Sequence, residues 1–594
     1  MKKIAICLFL SSMLSLVSCD DFLTLEPETS LSPESYFKTA AELELWTNGF
    51  YSILGDPEDE VRLCADDHIC TTLNSVQKGT RTAATESWSS SWDELRDINY
   101  FLEHVDNCTD EEAKNKFMGV AYFFRALFYF EKVRQYGDVP YYDFVISNTD
   151  MNALKKPRDS RSVVMKRVMD DFDKAYELLP ETWDVFHVTK YAAAAFKARA
   201  ALFEGTYRKY HVISEGVEGE NVDGQTVNAD WFLTQAVDAS QKVMDSKRFS
   251  VYKSNTTGLG AYREFFILED ANTDEMILAR RYEAAIKVRH GIQYQLKNGL
   301  HCATRRMVDH YLMSDGSRVQ EQDNYDKMSY YEQFQNRDPR MSQSLLAPGY
   351  HQYGTDKETV ETLTNSMTGY SVIKFISDTS FENDDTSTSD CSYFRYPEVL
   401  LIYAEAKAEL GTITQSDIDK TVKIIRDRVS MPNLDLDWAN ANPDEVLSSY
   451  YPHVGAGANR GAILEIRRER TVELFCEGQR QWDMLRWGEG KFLTPLGNGK
   501  GFVGVYFPGV GEYDMNNDGN ADIYLYSGEK PDEESGVIYY DIDSDITLSE
   551  GTSGYVLAYP KEDYVWDESR DYLWPIPENQ IEITNGVLTQ NPGY

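Results

Sequence analysis

The sequence predicts a mainly α-helical protein, a scaffold of paired helices joined by long irregular loops that carry a few small β-strands. Three observations predict it. Val120 to Phe130 is almost continuously apolar, broken only by Arg125, as in a helix sandwiched between others. Ala192 to Ala195, with Ala198, Ala200 and Ala201, forms an alanine-rich run whose small side chains let helix axes approach closely. Between such segments lie long polar stretches rich in Gly, Asn, Asp, Ser and Tyr, at about 211–229, 250–395 and 488–594. Connections of that length inside a folded chain usually carry function.

Residues 1–18 read as a lipoprotein signal peptide, outside any fold argument. Lys2 and Lys3 form a short basic region, and Ile4 to Val17 is apolar but too short to persist as a membrane span. Leu16-Val17-Ser18-Cys19 has the form of a lipobox, which assigns Cys19 as the lipid-attachment residue and the anchor. Asp20 and Asp21 follow it. Residues 19–594 are then expected to form a single domain, with loop-rich insertions at about 250–395 and 488–594.

Four segments read as buried helices. Phe117–Tyr136 stops at Gly137, with Pro140 beyond. The second is Lys190–Tyr210. The third, Pro397–Leu410, starts on proline and ends at Gly411. The fourth, Ala462–Trp487, ends at Gly488. Weaker helical patterns lie at Ala40–Leu54, Trp92–Val105, Ser160–Leu179, Asp230–Ser246 and Asp417–Val429. Arg125 reads as a paired structural arginine within its apolar helix. Arg467, Arg468 and Arg470 stand among Glu465, Glu469 and Glu473 as helix-surface or inter-helix ion pairs.

Charge narrows the function. The net charge of −38 repels phosphate backbones and argues against a nucleic-acid partner. Removing Lys2 and Lys3 makes the balance more negative still. Six cysteines besides Cys7 and Cys19 are scattered without metal-type spacing, so a zinc site is not expected. Cys64 and Cys70 are close enough in sequence to bridge, and the spacing leaves that open. Aromatic residues make up 13% of the chain. Many belong to the core, while Tyr and Trp in loops suit a ligand with flat apolar faces and polar edges, such as carbohydrate.

Several stretches in order resemble one family. They are Phe117 to Phe130 running into Tyr136-Gly137-Asp138-Val139-Pro140; Lys190 to Arg199; and Phe394 to Glu405. Ile466 to Arg470, with Glu473 and then Trp482 to Trp487, matches too, as do Trp574 to Pro577 and Asn591-Pro592-Gly593. Together they resemble the SusD/RagB family of outer-membrane nutrient-binding lipoproteins, most weakly at about 250–390. The resemblance implies a tetratricopeptide-like helical-hairpin scaffold with a loop-built binding face, although no strict repeat is visible in the sequence. It implies a surface-exposed, outer-membrane lipoprotein that binds an oligosaccharide without cleaving it. It further implies delivery to a SusC-like TonB-dependent outer-membrane barrel. A peptide ligand is the alternative within the family, and a glycoside hydrolase the alternative outside it. The hydrolase would need two carboxylates at a defined separation, and none is singled out among 97 acidic residues.

Candidate ligand residues follow. Trp88 and Trp92 flank a serine-rich stretch near Arg81 and Asp67. The resemblance implies a glycan-stacking aromatic in the loop entering the helix at Trp92, for which Trp88 is best placed, whereas Trp92, already on the helix, reads first as core. Tyr325, Tyr330, Tyr331 and Phe334 crowd the central loop beside Asn324 and Gln333, offering rings and amides for sugar or for packing. Asp514, Asn516, Asp518, Gly519, Asn520 and Asp522 resemble the first nine positions of a calcium loop. The closing glutamate is missing, Leu525 standing in its place, so Asp541, Asp543 or Asp545 is expected to complete a structural calcium shell. The alternative is a solvated Asn/Asp turn. No cofactor is required.

Overall fold

In the computed structural model the described residues are 36–594, apart from 89–91, 148–149, 151, 212–218, 299–300, 496–500, 563 and 565. The lipobox and Cys19 lie outside them. No helix among the described residues is long and apolar enough to cross a membrane.

Among the described residues the scaffold is built from nine principal helices. These are α1 (Ala40–Thr47), α2 (Trp92–His104), α3 (Glu111–Tyr136), α4 (Arg161–Leu178), α5 (Lys190–Tyr210), α6 (Ala229–Asp245), α7 (Tyr396–Glu409), α8 (Arg460–Glu473) and α9 (Arg480–Arg486). Helix α3 packs on α4, α4 on α5, α5 on α6, α6 on α7 and α7 on α8, the stacked-hairpin order the alanine-rich and apolar runs predict. Asp110 caps α3 by accepting the Glu112 and Ala113 N–H groups. At the other end Gly137 takes a φ of +72°, which a side chain would resist.

Two glycines set the spacing of successive hairpins. A Cβ at Gly119 of α3 would stand 2.8 Å from Leu179 Cγ, just past α4. A Cβ at Gly205 of α5 would meet Leu233 Cγ of α6 at the same 2.8 Å. Buried ion pairs lock the stack. Arg125 Nε and Nη2 hold Asp171 at 2.7 and 2.9 Å across α3 and α4. Arg161 joins α4 to Glu204 of α5, and Arg199 joins α5 to Glu398 of α7. Arg125 is thus the paired structural arginine expected. Asn591 Nδ2 donates to the Tyr136 carbonyl at 3.0 Å, closing the end of α3 from 455 residues downstream.

The expected single helix over 462–487 is two. Cys476 adopts a φ of +56° and Gly478 one of +72°, and the chain turns between α8 and α9. Arg467, Arg468 and Arg470 of α8 are buried. Arg467 pairs with Glu409, Arg468 with Asp444 and Arg470 with Asp483, ion pairs between packed elements, while Arg468 also pairs with Glu465 within α8. Glu473 accepts from Arg340, Arg395 and Arg428 together. Burial would raise its carboxyl, but the three guanidinium groups hold it far below the ordinary carboxylate value.

The strands are short. They are β1 (His68–Ile69), β2 (Glu220–Val222), β3 (Gln225–Val227), β4 (Met276–Arg280), β5 (Cys302–Ala303), β6 (Cys391–Arg395), β7 (Val503–Phe507), β8 (Gly511–Tyr513), β9 (Ile523–Tyr526), β10 (Ile538–Asp541) and β11 (Gly554–Leu557). They form two-stranded pairs β1–β5, β2–β3, β4–β6 and β7–β11, and one three-stranded sheet ordered β10–β9–β8. The region 250–395, expected to be irregular, also holds short helices. With β7, β9 and β11 it builds a second hydrophobic core around Tyr311, Tyr330, Met341 and Tyr370. The first core belongs to the helical stack. Polar composition concealed the second because its apolar residues come singly or in pairs among polar ones.

Candidate functional site

Helix α2 begins at Trp92 and leans on α3, and its first turns frame a surface cavity of about 210 Å³. Trp92, Asp93, Leu95, Arg96, Asn99, Tyr142, Phe144 and Ile146 line it. Trp92 stands edge-on to Phe128 at 5.5 Å and to Tyr142 at 6.1 Å. Phe144, edge-on to Tyr142, is 46% exposed. The cavity therefore offers apolar ring surface beside an acid, a guanidinium and an amide, a lining able to bind a flat ligand with polar edges.

The loop carrying Tyr142 and Phe144 is fixed from beneath. Asn99 Nδ2 donates to the carbonyls of Tyr142 and Phe144 at 3.1 and 3.2 Å. Its Oδ1 accepts from Arg125 Nη1 at 3.2 Å. Tyr129 Oη donates to the Tyr142 carbonyl and accepts the Tyr142 N–H. Burial pushes the Tyr142 phenol up to about 12. Below the tryptophans, Lys132 Nζ lies 5.3 Å from the Trp88 ring and 5.6 Å from the Trp92 ring. Burial pulls its ammonium down to about 7.

Each sequence candidate has a definite place. Trp88 is half-buried, edge-on to Tyr136 at 4.8 Å and to Trp92 at 5.6 Å, so the two tryptophans do adjoin. Asp67 and Arg81 do not join them as polar edges: both are buried. Asp67 bonds His68, and Arg81 lies 4.2 Å over the Trp574 ring. Tyr330 is buried in the second core, stacked on Tyr370, and Gln333 is buried beside it, accepting from the Tyr370 hydroxyl. Phe334 packs against Tyr330 at 5.0 Å. Tyr325 and Tyr331 remain half-exposed; the Tyr325 ring faces the Arg305 guanidinium at 5.6 Å. Tyr142, Phe144, Asn99 and Arg96 escaped the sequence reading. Their signal was the Tyr141-Tyr142-Asp143-Phe144 run directly after the Gly137 to Pro140 stop.

The Asp514–Asp522 loop joins β8 to β9. Asp514 accepts the N–H groups of Asn517, Asp518 and Gly519, and Asp522 accepts that of Met515 at 2.8 Å. Burial, then the charges of Asp514 and Asp518, raise the Asp522 carboxyl. Asp541, Asp543 and Asp545 do not complete this cluster. Strand β10 runs parallel to β9, with Ile538 beside Ile523 and Asp541 beside Tyr526, so those acids lie at the far end of the strand, about 10 Å away. Glu358 is nearer, accepting from Asn516 Nδ2 at 3.2 Å.

The fold is a helical-hairpin scaffold with an aromatic surface cavity at the start of one helix. Within that class, the chain belongs to the SusD family, whose model matches residues 274–594. A second model, described as starch-binding associating with outer membrane, matches residues 59–202. A SusD-like protein P38 of Formosa agariphila is 23% identical over 509 residues, covering 81% of this chain and 90% of that one. Among solved structures, a SusD-like carbohydrate binding protein of Bacteroides fragilis superposes with a TM-score of 0.65 at 18% identity, covering 92% of this chain and 98% of that one. Another SusD-like protein of the same species gives 0.65 at 20% identity, covering 94% and 98%. At these identities the structures share the fold.

Proposed function

We propose that the protein captures an oligosaccharide at the Trp92, Tyr142 and Phe144 cavity, without cleaving it, and passes it to a SusC-like TonB-dependent barrel in the outer membrane. Lipid on Cys19 would tether it at the cell surface. The observation that carries this reading is positional. The segment matched by the starch-binding model, residues 59–202, contains every side chain that lines the cavity. Ring faces beside Asp93, Arg96 and Asn99 supply what a sugar asks for, an apolar face and hydrogen-bonding edges.

Calorimetric titration of the purified protein against a panel of oligosaccharides and against protein digests tests it. Binding of one glycan class, weakened in Trp92→Ala and Phe144→Ala, is expected. Binding of digests alone would replace sugar with peptide, and release of reducing sugar would make the chain an enzyme. Co-purification of a TonB-dependent barrel with the lipidated protein tests the partner. We also propose that the loop from Asp514 to Asp522 takes calcium as a structural ion, since a cation would relieve the repulsion among its carboxylates. A melting temperature raised by calcium in the native chain, and unmoved in Asp514→Asn, is the expected result. Identical melting with calcium and with chelator would discard it.

A further inference from the structure

Outside the lining of the aromatic cavity, a group of metal-ligating side chains meets in the interior. Cys64 follows the short helix Pro57–Val61, His68 opens β1, and His301 immediately precedes β5. The antiparallel pairing of His68 with Ala303 and Ile69 with Cys302 brings these distant stretches together. One ligand atom from each of Cys64, His68 and His301 lies within 4.8 Å of the others, and all three residues are buried. Cys64 Sγ stands 3.9 Å from His301 Nδ1. A tetrahedral zinc site with ordinary bond lengths sets a sulfur-to-nitrogen edge of about 3.6 Å. Two further thiols adjoin the group: Cys70 beside Cys64 and Cys476, at the break between α8 and α9, beside His68.

A second observation points to a ligand. His68 is 1% exposed. Its Nδ1 is 2.9 Å from Asp67 Oδ1, which also accepts the His68 backbone N–H at 2.8 Å. Its Nε2 is buried and makes no hydrogen bond to a protein nitrogen or oxygen, which leaves the Cys476 thiol as the side chain beside it. A buried polar atom left unpaired is costly. An imidazole pinned at one nitrogen by a carboxylate, with the other free, is how metal-ligating histidines are oriented.

We propose that Cys64, His68 and His301 bind a zinc ion, with Cys476 or Cys70 as the fourth ligand and Asp67 orienting His68. Thiolate and imidazole donors select zinc over calcium or magnesium. Four protein ligands leave no open position, so the ion is structural. With Cys476 as the fourth ligand it ties the β1–β5 pair to the turn that follows α8. On binding, each ligating thiol loses its proton to solvent and donates a sulfur lone pair to the ion, and each imidazole donates from its unprotonated nitrogen.

The test is a titration of the reduced, metal-free full chain with cobalt(II), followed by zinc. One equivalent of cobalt, a sulfur-to-cobalt charge-transfer absorption and its loss on adding zinc are expected. Asp67→Asn should weaken affinity by about 10- to 100-fold while keeping that absorption, and Cys64→Ser should diminish it. Should Cys64→Ser fail to fold, the native spectrum and the Asp67→Asn titration decide. A native chain without the thiolate absorption overturns the proposal. So does a Cys64–Cys70 disulfide in the isolated protein that, once reduced, leaves a chain taking up no metal.

Discussion

Replacing Asp171 with alanine isolates the energetics of the helical stack. Arg125 and Asp171 are 5% and 2% exposed, and their paired hydrogen bonds span α3 and α4 at 2.7 and 2.9 Å. Asp171→Ala leaves the guanidinium buried, with the Asn99 amide oxygen and the Tyr122 ring, 5.3 Å away, as its named neighbours. An uncompensated buried charge costs about 3–5 kcal/mol. The double variant Arg125→Met, Asp171→Leu removes both charges and fills the space. It strands only the Asn99 oxygen, which costs about 1–3 kcal/mol. The double variant should therefore be more stable than Asp171→Ala, and urea unfolding of the native chain and the two variants, followed by tryptophan fluorescence, measures the difference. An Asp171→Ala loss below about 1 kcal/mol, or a double variant no better than that single one, would refute the reasoning.

Three further outcomes follow. Gly119→Ala should destabilise by about 1–2 kcal/mol, because overpacking against Leu179 outweighs the gain in helix propensity; Gly49→Ala, with nothing within 4 Å of the new Cβ, should not, and thermal melts of the two compare them. Phe144→Ala should weaken oligosaccharide binding about 2- to 12-fold at an unchanged melting temperature, read by calorimetry. Burial holds His211 and His290 down to about 4. The unfolded chain protonates them from about pH 6.5, so their contribution to stability is complete above pH 6.5 and declines as pH falls toward 4. Urea midpoints measured across that window should drop with pH, and less steeply in His290→Gln.

Much of the frame was legible in sequence. Lys190–Tyr210 is a helix with the bounds expected, because alanine spacing and the flanking residues mark it locally. The break between α8 and α9 was not legible. Gly478 marks it at a φ of +72°, but an isolated glycine in so apolar a run reads as tolerated within a helix, and the other left-handed residue, Cys476, gives no signal at all. The second core escaped because its partners, such as Tyr330 and Tyr370, come from segments that look polar one window at a time. At the site, Trp92 was visible as a tryptophan beside a serine run. Asp67 and Arg81 were misplaced because proximity in sequence says nothing about which side chains point inward. Tyr142 and Phe144 become significant only once Asn99 is seen holding their carbonyls.

Asn591 binds the terminal carbonyl of α3 from the opposite extreme of the sequence. A polypeptide emerging from a ribosome makes that helix early and obtains this partner only 455 residues later. Prematurely terminated products would thus carry a frayed central helix and offer quality-control proteases a foothold that the finished molecule withholds.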